Sequence, residues 1–213
     1  MRPRRKKHIN ERLTAVEALT ITKNDYVGIE IDKIFKLKLP LDIEIGCGKG
    51  SFAIQHAMVF PERNYIAIEK IQDVIITALE KSSMYNYDNL RFMIADAAAL
   101  PEILPVHSVD ILYINFCDPW PKKRNAKRRL TFHSFLERYK IFLKPDGKII
   151  FKTDNRPLFD FSIIEFKTAG YRLEDITYDL HNSEYNADNV MTEYEKIFSD
   201  KGFTINRLIA YLL

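Results

Sequence analysis

The sequence predicts an α/β protein built on a doubly wound, mostly parallel sheet. Short apolar runs alternate along the chain with segments in which apolar residues recur every three or four positions. A glycine-rich turn follows the first apolar run, and an acidic residue stands at or near the end of each of the first five runs. Parallel strands bring such residues to one edge of a sheet, which is where open α/β sheets bind their ligands.

Five strands are predicted in the alternating part of the chain, at residues 41–45, 64–69, 90–95, 109–116 and 148–153. Helices are expected between them from Ser51, from Ile71 and over residues 132–143, where the apolar side chains follow helical spacing. The Lys-Pro-Asp-Gly segment 144–147 is expected to end the third of these helices before the fifth strand. Pro157 is well placed to open one more helix.

The two ends of the chain depart from this alternation. Residues 172–180 and 204–213 are predicted as strands, with a helical stretch at 191–200 between them. No clear crossover helix follows Asp200, so these two strands could pair antiparallel at one edge of the sheet. We interpret residues 1–40 as an N-terminal extension with a basic arm and residues 41–213 as one domain.

Composition excludes several classes of protein. With 46% hydrophobic and 29% charged residues, the chain can bury a core and is not expected to be disordered. The longest stretch without Asp, Glu, Lys or Arg has only 12 residues, whereas a membrane span needs about 20 apolar residues. No apolar segment follows the basic N-terminus, so no secretory signal is expected. Two cysteines are too few for a disulfide framework, and we expect a cytoplasmic protein.

The net charge of +3 is unevenly distributed. Residues 2–7 carry five cations and residues 122–129 carry six, and neither segment contains an acid. Removing these 11 charges from the 32 lysines and arginines leaves 21 against 29 acids, a net charge of about −8. An acidic body with two basic segments suggests a polyanionic partner. The alternative for the N-terminal segment is a solvated basic tail.

The glycine turn and the acids after it predict the cofactor. Gly46, Gly48 and Gly50 match the dinucleotide pattern G-x-G-x-x-G/A imperfectly, because Ser51 stands where the third glycine or alanine is required. Glu44 lies two residues before the first glycine, where it would repel a pyrophosphate and suit a sulfonium centre. Acids at the next two strand ends, Glu69 and Asp96, fit the ribose hydroxyls and the adenine end of one ligand. These features favour S-adenosylmethionine (SAM) over NAD, although each acid could alternatively be a helix cap.

The fourth strand is followed by Asp118-Pro-Trp-Pro121 and then by the basic segment 122–129. In a SAM-binding fold of this kind, the loop after the fourth strand faces the methyl group of the cofactor, so Asp118 is expected to be the acid nearest the reacting centre. Trp120 either packs at the rim or stacks on a base. The adjacent cations are expected to contact phosphates. We interpret Cys117 as a small buried residue and not as a nucleophile, because no histidine is near it in the sequence. Cys47 is interpreted in the same way, and the scattered histidines predict no metal site.

Five sequence segments resemble the bacterial tRNA (guanine-N7-)-methyltransferases. They are Glu44–Gly50, Asp118–Arg124, Lys127–Arg129, Lys152–Asp154 and Thr192–Glu195, in the order in which that family carries them. The resemblance implies a Rossmann-like class I methyltransferase fold, doubly wound and mostly parallel with an antiparallel edge strand. It also implies SAM as the cofactor and a guanine in the variable loop of tRNA as the methyl acceptor. Cys117 and Asn125 depart mildly from the family, whose members often carry serine and histidine there.

The resemblance also implies roles for individual residues. Asp118 is the expected catalytic residue. Cofactor-binding residues are expected at Glu44, Gly46, Gly48, Gly50, Glu69, Asp96, Ala97 and Asp118. Substrate-binding residues are expected at Lys122, Asp154, Thr192, Glu193, Tyr194 and Glu195. RNA-binding residues are expected at Arg124, Asn125, Ala126, Lys127, Arg128 and Arg129.

Several questions stay open at this stage. Periodicity alone would place Thr192, Tyr194 and Glu195 on an ordinary surface helix. The sequence leaves the oligomeric state open between monomer and homodimer, and no obligatory protein partner is expected. Two other functions fit parts of the pattern. One is a SAM enzyme that methylates an exocyclic amine of a base, although such enzymes often carry Asn/Asp-Pro-Pro-Tyr at the fourth strand. The other is a non-catalytic RNA-binding module on a relic SAM fold.

Overall fold

The computed structural model describes residues 6–22, 26 and 28–212 of the chain. Arg2, Arg4 and Arg5 of the basic arm lie outside the described residues. The chain divides into two compact units, Met1–Pro105 and Val106–Leu213, and each is described by itself below.

The first unit contains four parallel strands in the order β1-β4-β3-β2. In chain order its elements are α1 (Ile9–Ala15), β1 (Thr20–Ile21), α2 (Ile31–Ile34), β2 (Leu41–Ile45), α3 (Ser51–Val59), β3 (Asn64–Ile68), α4 (Gln72–Ser82), β4 (Leu90–Met93) and α5 (Leu100–Ile103). Every residue of β2 and β3 is buried, as expected for parallel strands covered on both faces. The strands predicted at 41–45, 64–69 and 90–95 are therefore confirmed.

One buried acid of this unit has a structural role. Asp42 in β2 is 0% exposed and accepts hydrogen bonds from Arg63 at 2.7 and 2.5 Å. The Nε2 atom of the buried His56 lies 3.3 Å from the same carboxylate. The side chain is thus satisfied within the core, which leaves Glu44 as the β2 acid to consider for the site.

Within the first unit, part of the N-terminal extension packs against α4 and β4. Arg12 of α1 donates to both carboxylate oxygens of Glu80 in α4, at 2.7 and 2.8 Å. The backbone N–H of Lys6 donates to Asp73 at 2.6 Å. Strand β1 pairs in parallel with β4, with Thr20 opposite Phe92. The sequence pattern predicted neither α1 nor β1, because their partners lie far along the chain.

The second unit contains four strands in the order β5-β6-β8-β7. Its elements are β5 (Val109–Asn115), α6 (His133–Phe142), β6 (Leu143–Thr153), α7 (Arg156–Thr168), β7 (Tyr171–Thr177), α8 (Glu193–Ser199) and β8 (Asn206–Leu212). Strands β5 and β6 are parallel, and β8 is antiparallel to both β6 and β7. The antiparallel pairing expected for the last two strands is confirmed.

The Lys-Pro-Asp-Gly segment behaves differently from the sequence prediction. The predicted helix ends at Phe142, but β6 already begins at Leu143 and runs through Gly147 without a separate turn. Pro145 disfavours a helical conformation at the residue before it, so the chain becomes extended early. Leu143 pairs with Val109 and Lys148 pairs with Ile111, so the extra residues form an irregularity inside the strand. In the part of the chain that the structure describes, no helix is long and apolar enough to cross a membrane.

Candidate active site

The glycine turn of the first unit connects β2 to α3. The backbone N–H groups of Gly46 and Cys47 both donate to the carbonyl of Ile68, at 2.8 and 3.0 Å. Gly48 has a φ of +58°, and a Cβ added there would meet nothing within 4 Å, so a ligand can approach its backbone closely. At Gly50, an added Cβ would lie 2.5 Å from Cβ of Ala78, so this glycine allows the turn to pack on α4.

Glu69 follows β3 directly and ties the glycine turn to α4. Its Oε2 accepts from the N–H of Gly48 at 3.2 Å, and its Oε1 accepts from the N–H of Ile71 at 3.0 Å. Each carboxylate oxygen has a second lone pair, so the group can still accept hydrogen bonds from hydroxyls of a ligand. The structure therefore brings Gly48 and Glu69, two of the predicted cofactor residues, into direct contact.

Asp96 follows β4 and borders a cavity. Its Oδ1 accepts from the N–H of Ala98 at 3.0 Å, which caps the short 3-10 helix Ala97–Ala99. Its Oδ2 lies 2.5 Å from Nζ of Lys70. Both residues line a cavity of about 850 Å³ together with Ile71, Ala99 and Ile103. Asp96 is thus a helix cap, the alternative considered from the sequence, and also part of the wall of a cavity large enough for a nucleoside.

Two side chains at the glycine turn, Glu44 and Cys47, are buried. Glu44 is 2% exposed, and its Oε2 accepts a hydrogen bond of 3.4 Å from the hydroxyl of Tyr65. Burial, and then the negative charges of Glu44 and Glu69, raise the pKa of the Cys47 thiol well above its ordinary value. Cys47 is therefore an unreactive thiol, as its sequence interpretation expected.

In the second unit, Asp118 lies on a tight turn after β5. Its side chain is exposed. Two neighbours have positive φ angles that are rare for residues other than glycine, Phe116 at 50° and Trp120 at 41°. The N–H of Phe116 donates to the carbonyl of Lys152 at 2.9 Å, which attaches the start of this turn to β6. Strained backbone of this kind is held only by surrounding contacts and is concentrated at functional sites.

Arg129 supplies one set of those contacts. Its Nε donates to the carbonyl of Pro119 at 2.9 Å, and its Nη2 donates to the carbonyl of Trp120 at 3.1 Å. Its guanidinium carbon lies 4.2 Å from the ring centroid of Phe161 in α7. The guanidinium of Arg128 lies 4.8 Å from the Trp120 ring centroid. Two of the cations predicted to bind RNA therefore contact the Asp118 turn.

Most of the basic segment 122–129 is exposed to solvent. Residues Lys123–Arg128 form a 3-10 helix with no buried residue, and this helix begins two residues after Pro121. Asn125, Ala126 and Arg129 are half-buried, and the other charged members are exposed: Lys122, Lys123, Arg124, Lys127 and Arg128. This arrangement presents five cations to solvent next to the Asp118 turn, which suits a polyanion.

A buried ion pair joins the end of β6 to α8. Nζ of Lys152 lies 2.7 Å from Oε2 of Glu195, and the two residues are 2% and 0% exposed. The other carboxylate oxygen of Glu195 contacts Nε2 of His181 at 2.8 Å and accepts from Asn189 at 2.7 Å. Burial alone would raise the pKa of Glu195, but the charge of Lys152 and these hydrogen bonds lower it below its ordinary value.

Glu195 also completes the start of α8. The Thr192 hydroxyl accepts from the N–H of Glu195 at 2.8 Å, and the Glu195 carboxylate accepts from the N–H of Thr192 at 3.3 Å, which is a capping box. The expectation of an ordinary surface helix was therefore wrong for Thr192 and Glu195, which are buried. The Thr-x-x-Glu spacing is the sequence signal that could have indicated this start. Glu193 and Tyr194 are exposed, as a surface helix would have them.

Asp154 and Tyr194 are electrostatic neighbours in the same unit. Asp154 follows β6 and is half-buried, and the next residue, Asn155, caps α7 by accepting from Leu158 at 2.9 Å. Partial burial, and then the charge of Asp154, raise the pKa of Tyr194. The structure thus places Asp154 near Tyr194, and five of the six residues predicted to bind substrate belong to Asp154 and the segment Thr192–Glu195.

Cys117 is half-buried and not fully buried as its sequence interpretation expected, but it has the environment of an inert side chain. Burial, and then the charge of Asp118, raise the pKa of its thiol to about 12. A thiol with this pKa is protonated at neutral pH and is a poor nucleophile. Among the described residues, no group of three or more His, Cys, Asp or Glu side chains could hold a metal ion.

The chain is similar to known methyltransferases. The family model described as "Putative methyltransferase" matches residues 38–208. A protein of Lachnoclostridium phytofermentans is 48% identical over 198 residues, which cover 90% of this chain and 92% of that protein. One of Lactococcus lactis subsp. cremoris is 44% identical over 216 residues, which cover 100% of this chain and 99% of that protein. Both are named tRNA (guanine-N(7)-)-methyltransferase.

Solved structures are similar in fold at low sequence identity. An antibiotic-related methyltransferase matches with a TM-score of 0.63 and 18% identity, covering 89% of this chain and 92% of that one. The 16S rRNA methyltransferase KamB matches with a TM-score of 0.63 and 14% identity, covering 87% of this chain and 92% of that one. Together with the parallel and antiparallel strand pairs described above, these similarities confirm the predicted fold class.

Proposed function

This chain belongs to the family of tRNA (guanine-N(7)-)-methyltransferases, and we propose that it transfers the methyl group of SAM to N7 of a guanine in the variable loop of tRNA. The observation that carries the proposal is the exposed Asp118 on a strained turn that continues directly into the exposed basic helix Lys123–Arg128. The acid that is proposed to act on the guanine and the cations that are proposed to bind the phosphates therefore lie in one continuous segment.

The first unit fits the cofactor. The open backbone at Gly48 accepts a ligand at close range, and the Glu69 carboxylate beside it can accept from ribose hydroxyls. The cavity bordered by Asp96 has the volume and the mixed apolar and polar wall that an adenosine needs. We assign Glu44, Gly46, Gly50 and Ala97 to the same site as wall and turn residues. That the acids of both units share one rim stays a prediction.

The chemistry of guanine N7 suits the residues of the second unit. When bound, SAM supplies an electrophilic methyl group on a sulfonium. N7 carries an in-plane lone pair and no proton, so the protein needs no strong general base at this atom. It has to hold the nitrogen in line with the methyl group and exclude competing orientations. Methylation moves positive charge onto the purine, and we assign Asp118 to stabilise that charge or to hold the amino edge of the base.

The other predicted substrate residues divide into contacts and supports. Asp154 and Tyr194 are partly exposed neighbours, and we propose that they contact the guanine, with Glu193 and Lys122 beside them. Both carboxylate oxygens of Glu195 are engaged with Lys152, His181 and Asn189. We therefore propose that Thr192 and Glu195 hold this segment in place. A direct contact of Glu195 with the guanine stays a prediction. In that prediction, Glu195 and Asp154 both accept hydrogen bonds from N–H groups of the guanine.

The basic residues can likewise be divided into those that contact the RNA and those that support the Asp118 turn. Arg124 and Lys127 are exposed and are proposed to contact phosphates, with Asn125 and Ala126 shaping the helix between them. Arg128 and Arg129 contact the Asp118 turn as well.

Three further expectations from the sequence stay predictions. They are a cytoplasmic location, a single domain over residues 41–213 and independence from protein partners.

The test is methyl transfer from methyl-labelled SAM to an unmodified tRNA transcript, with the product mapped to the atom. We expect N7-methylguanosine at one position of the variable loop. A matched transcript with 7-deazaguanosine at that position lacks the acceptor nitrogen and should take up no label. Label on an exocyclic amine would support the alternative enzyme class. Binding of SAM and tRNA without any transfer would support the non-catalytic RNA-binding module.

A further inference from the structure

Four aromatic rings form a continuous row in the second unit. The centroids of Phe116 and Tyr194 lie 5.0 Å apart, those of Tyr194 and Phe198 lie 4.1 Å apart with nearly parallel rings, and those of Phe198 and Phe203 lie 5.5 Å apart. The row begins at Phe116, two residues before Asp118, and extends outward along α8. We call these four residues the aromatic row.

Local structure explains why the rings meet. Tyr194 and Phe198 are four residues apart on α8, so they share one face of the helix. After the helix, Gly202 has a φ of +82°, and the N–H of Phe203 donates to the carbonyl of Phe198 at 3.1 Å. This helix ending turns the chain back and places Phe203 against Phe198. The position of the outermost ring is therefore set by backbone hydrogen bonds.

The aromatic row is open to solvent at its outer part. Tyr194 is 43% exposed and Phe203 is 53% exposed, while Phe198 between them is half-buried. Nζ of Lys201 lies 5.2 Å from the Phe198 ring centroid, so a cation stands at the same surface. A row of rings that served only as core would be covered, whereas exposed π faces next to a reaction site are a surface for flat partners.

We propose that the aromatic row is a stacking surface for the unpaired tRNA bases that flank the target guanine. This inference rests on the proposed function, since it takes RNA as the partner. The row starts at the turn that carries Asp118, so a base stacked on it is the neighbour of the base being methylated. Every nucleobase has a π face, so such a surface accepts bases without regard to their identity. Glu193 and Asp200 flank the row, and phosphates are accordingly expected to contact the basic helix instead.

The experiment uses tRNA transcripts with 2-aminopurine at the nucleotide on either side of the target guanine. Stacking quenches this fluorophore, so we expect fluorescence to fall when the wild-type protein binds at one of the two positions. Phe203→Leu keeps an apolar side chain but removes the π face. We expect it to abolish the quenching and to weaken tRNA binding about fivefold or more. Phe203→Tyr keeps an aromatic ring, so this variant should quench the fluorescence and bind tRNA as the wild-type protein does.

Tyr85→Leu is the matched control, because Tyr85 is 55% exposed but lies in the first unit. We expect it to leave both the fluorescence and the affinity for tRNA unchanged. SAM affinity and the thermal midpoint are measured for each variant to show that it is folded. The wild-type fluorescence by itself keeps the proposal testable if Phe203→Leu is unstable.

Three results would overturn the inference. One is an absence of quenching at both flanking positions when wild-type protein has bound tRNA. Another is a folded Phe203→Leu protein that quenches and binds like wild type. The third is a loss of self-association in Phe203→Leu with unchanged tRNA binding, which would make the row an interface between two copies of the chain. The quenching needs binding only, so it distinguishes a failure of this inference from a failure to methylate N7.

Discussion

The guanidinium of Arg129 donates a hydrogen bond to the backbone carbonyl of Trp120 at 3.1 Å, although the sequence predicts Arg129 to be an RNA-binding residue. A second N–H of the same group donates to the preceding carbonyl, of Pro119, at 2.9 Å. The planar fork of an arginine can serve two such acceptors at once. Arg129 therefore holds the turn that carries Asp118, and the exposed Lys127 nearby has no such role.

We predict that Arg129→Lys lowers the rate of methyl transfer, whereas Lys127→Gln changes only the salt dependence of tRNA binding. Lysine cannot reproduce the two parallel hydrogen bonds, so Arg129→Lys should lower the single-turnover rate at saturating tRNA and SAM about tenfold or more. The dependence of tRNA affinity on salt should stay as in wild type. Lys127→Gln should preserve the rate and reduce the slope of log K against log salt by roughly 0.7–0.9 if it removes one phosphate contact. A reduced slope in Arg129→Lys with an intact rate would make Arg129 an RNA contact.

We predict that Asp118→Asn lowers the rate of methyl transfer far more than it lowers either binding constant. The substitution preserves size and removes the charge that is proposed to stabilise the methylated purine. Loss of one preorganised electrostatic partner typically costs about 100- to 1000-fold in rate. The measurement is the single-turnover rate at saturating SAM and tRNA. If the loss appears in SAM affinity while the saturated rate is nearly intact, Asp118 only binds the cofactor.

We predict that Glu69→Ala weakens SAM binding by about 1.5–3 kcal/mol, because charge-assisted hydrogen bonds from two ribose hydroxyls are lost. Calorimetric titration with SAM measures the effect. Glu69 also accepts from the N–H groups of Gly48 and Ile71, so the thermal midpoint must be recorded with each titration. Glu62→Ala is the control, since Glu62 is an exposed acid of the same unit. Unchanged SAM affinity in Glu69→Ala would leave this residue as a loop support alone.

We predict that Lys152→Met destabilises the protein by about 3–5 kcal/mol, because it leaves the Glu195 carboxylate buried without its charge partner. Urea denaturation at neutral pH measures the change. The double variant Lys152→Met/Glu195→Leu removes both charges and should recover a large part of the loss. Stability of Lys152→Met close to that of wild type would show that the pair contributes little.

The same ion pair predicts a pH dependence of stability. The folded-state pKa of Glu195 is below its ordinary value of 4.5, so the pair stabilises the folded state at pH values above 4.5. This contribution is lost as the pH falls from there through the lowered folded-state pKa. We expect the double variant to lose less stability than wild type over this acidic range. Equal acid sensitivity of the two proteins would contradict a lowered pKa at Glu195.

We predict that Cys117→Ser leaves methyl transfer within about twofold of wild type, because a thiol with a pKa of about 12 contributes almost no thiolate at neutral pH. The steady-state rate with tRNA is the measurement, and Asp118→Asn is the positive control for a loss. A loss of a hundredfold or more, as removal of a covalent nucleophile causes, would reopen the possibility that Cys117 attacks the base.

Local patterns were sufficient for most of the strands and for the cofactor turn. Periodicity and glycine placement predicted β2, β3 and β4 and the turn at residues 46–50, because each depends on residues that are neighbours in the chain. Family resemblance supplied Thr192–Glu195, which periodicity alone had placed on an ordinary surface. The sequence by itself thus determined the fold class and the family, and it supplied the segments that are proposed to carry the site.

The tertiary structure decided how those segments are held. Lys152 and Glu195 are 43 residues apart and meet only because β6 and α8 pack in one unit. Arg12 and Glu80, which attach α1 to α4, are 68 residues apart. Arg129 lies close to Pro119 in sequence, but whether its guanidinium points at the turn or at solvent depends on Phe161 of α7, against which it stacks. The spacing of apolar residues along a chain predicts where helices and strands form. The partner of a buried charge, in contrast, is set by packing between elements that are distant in sequence.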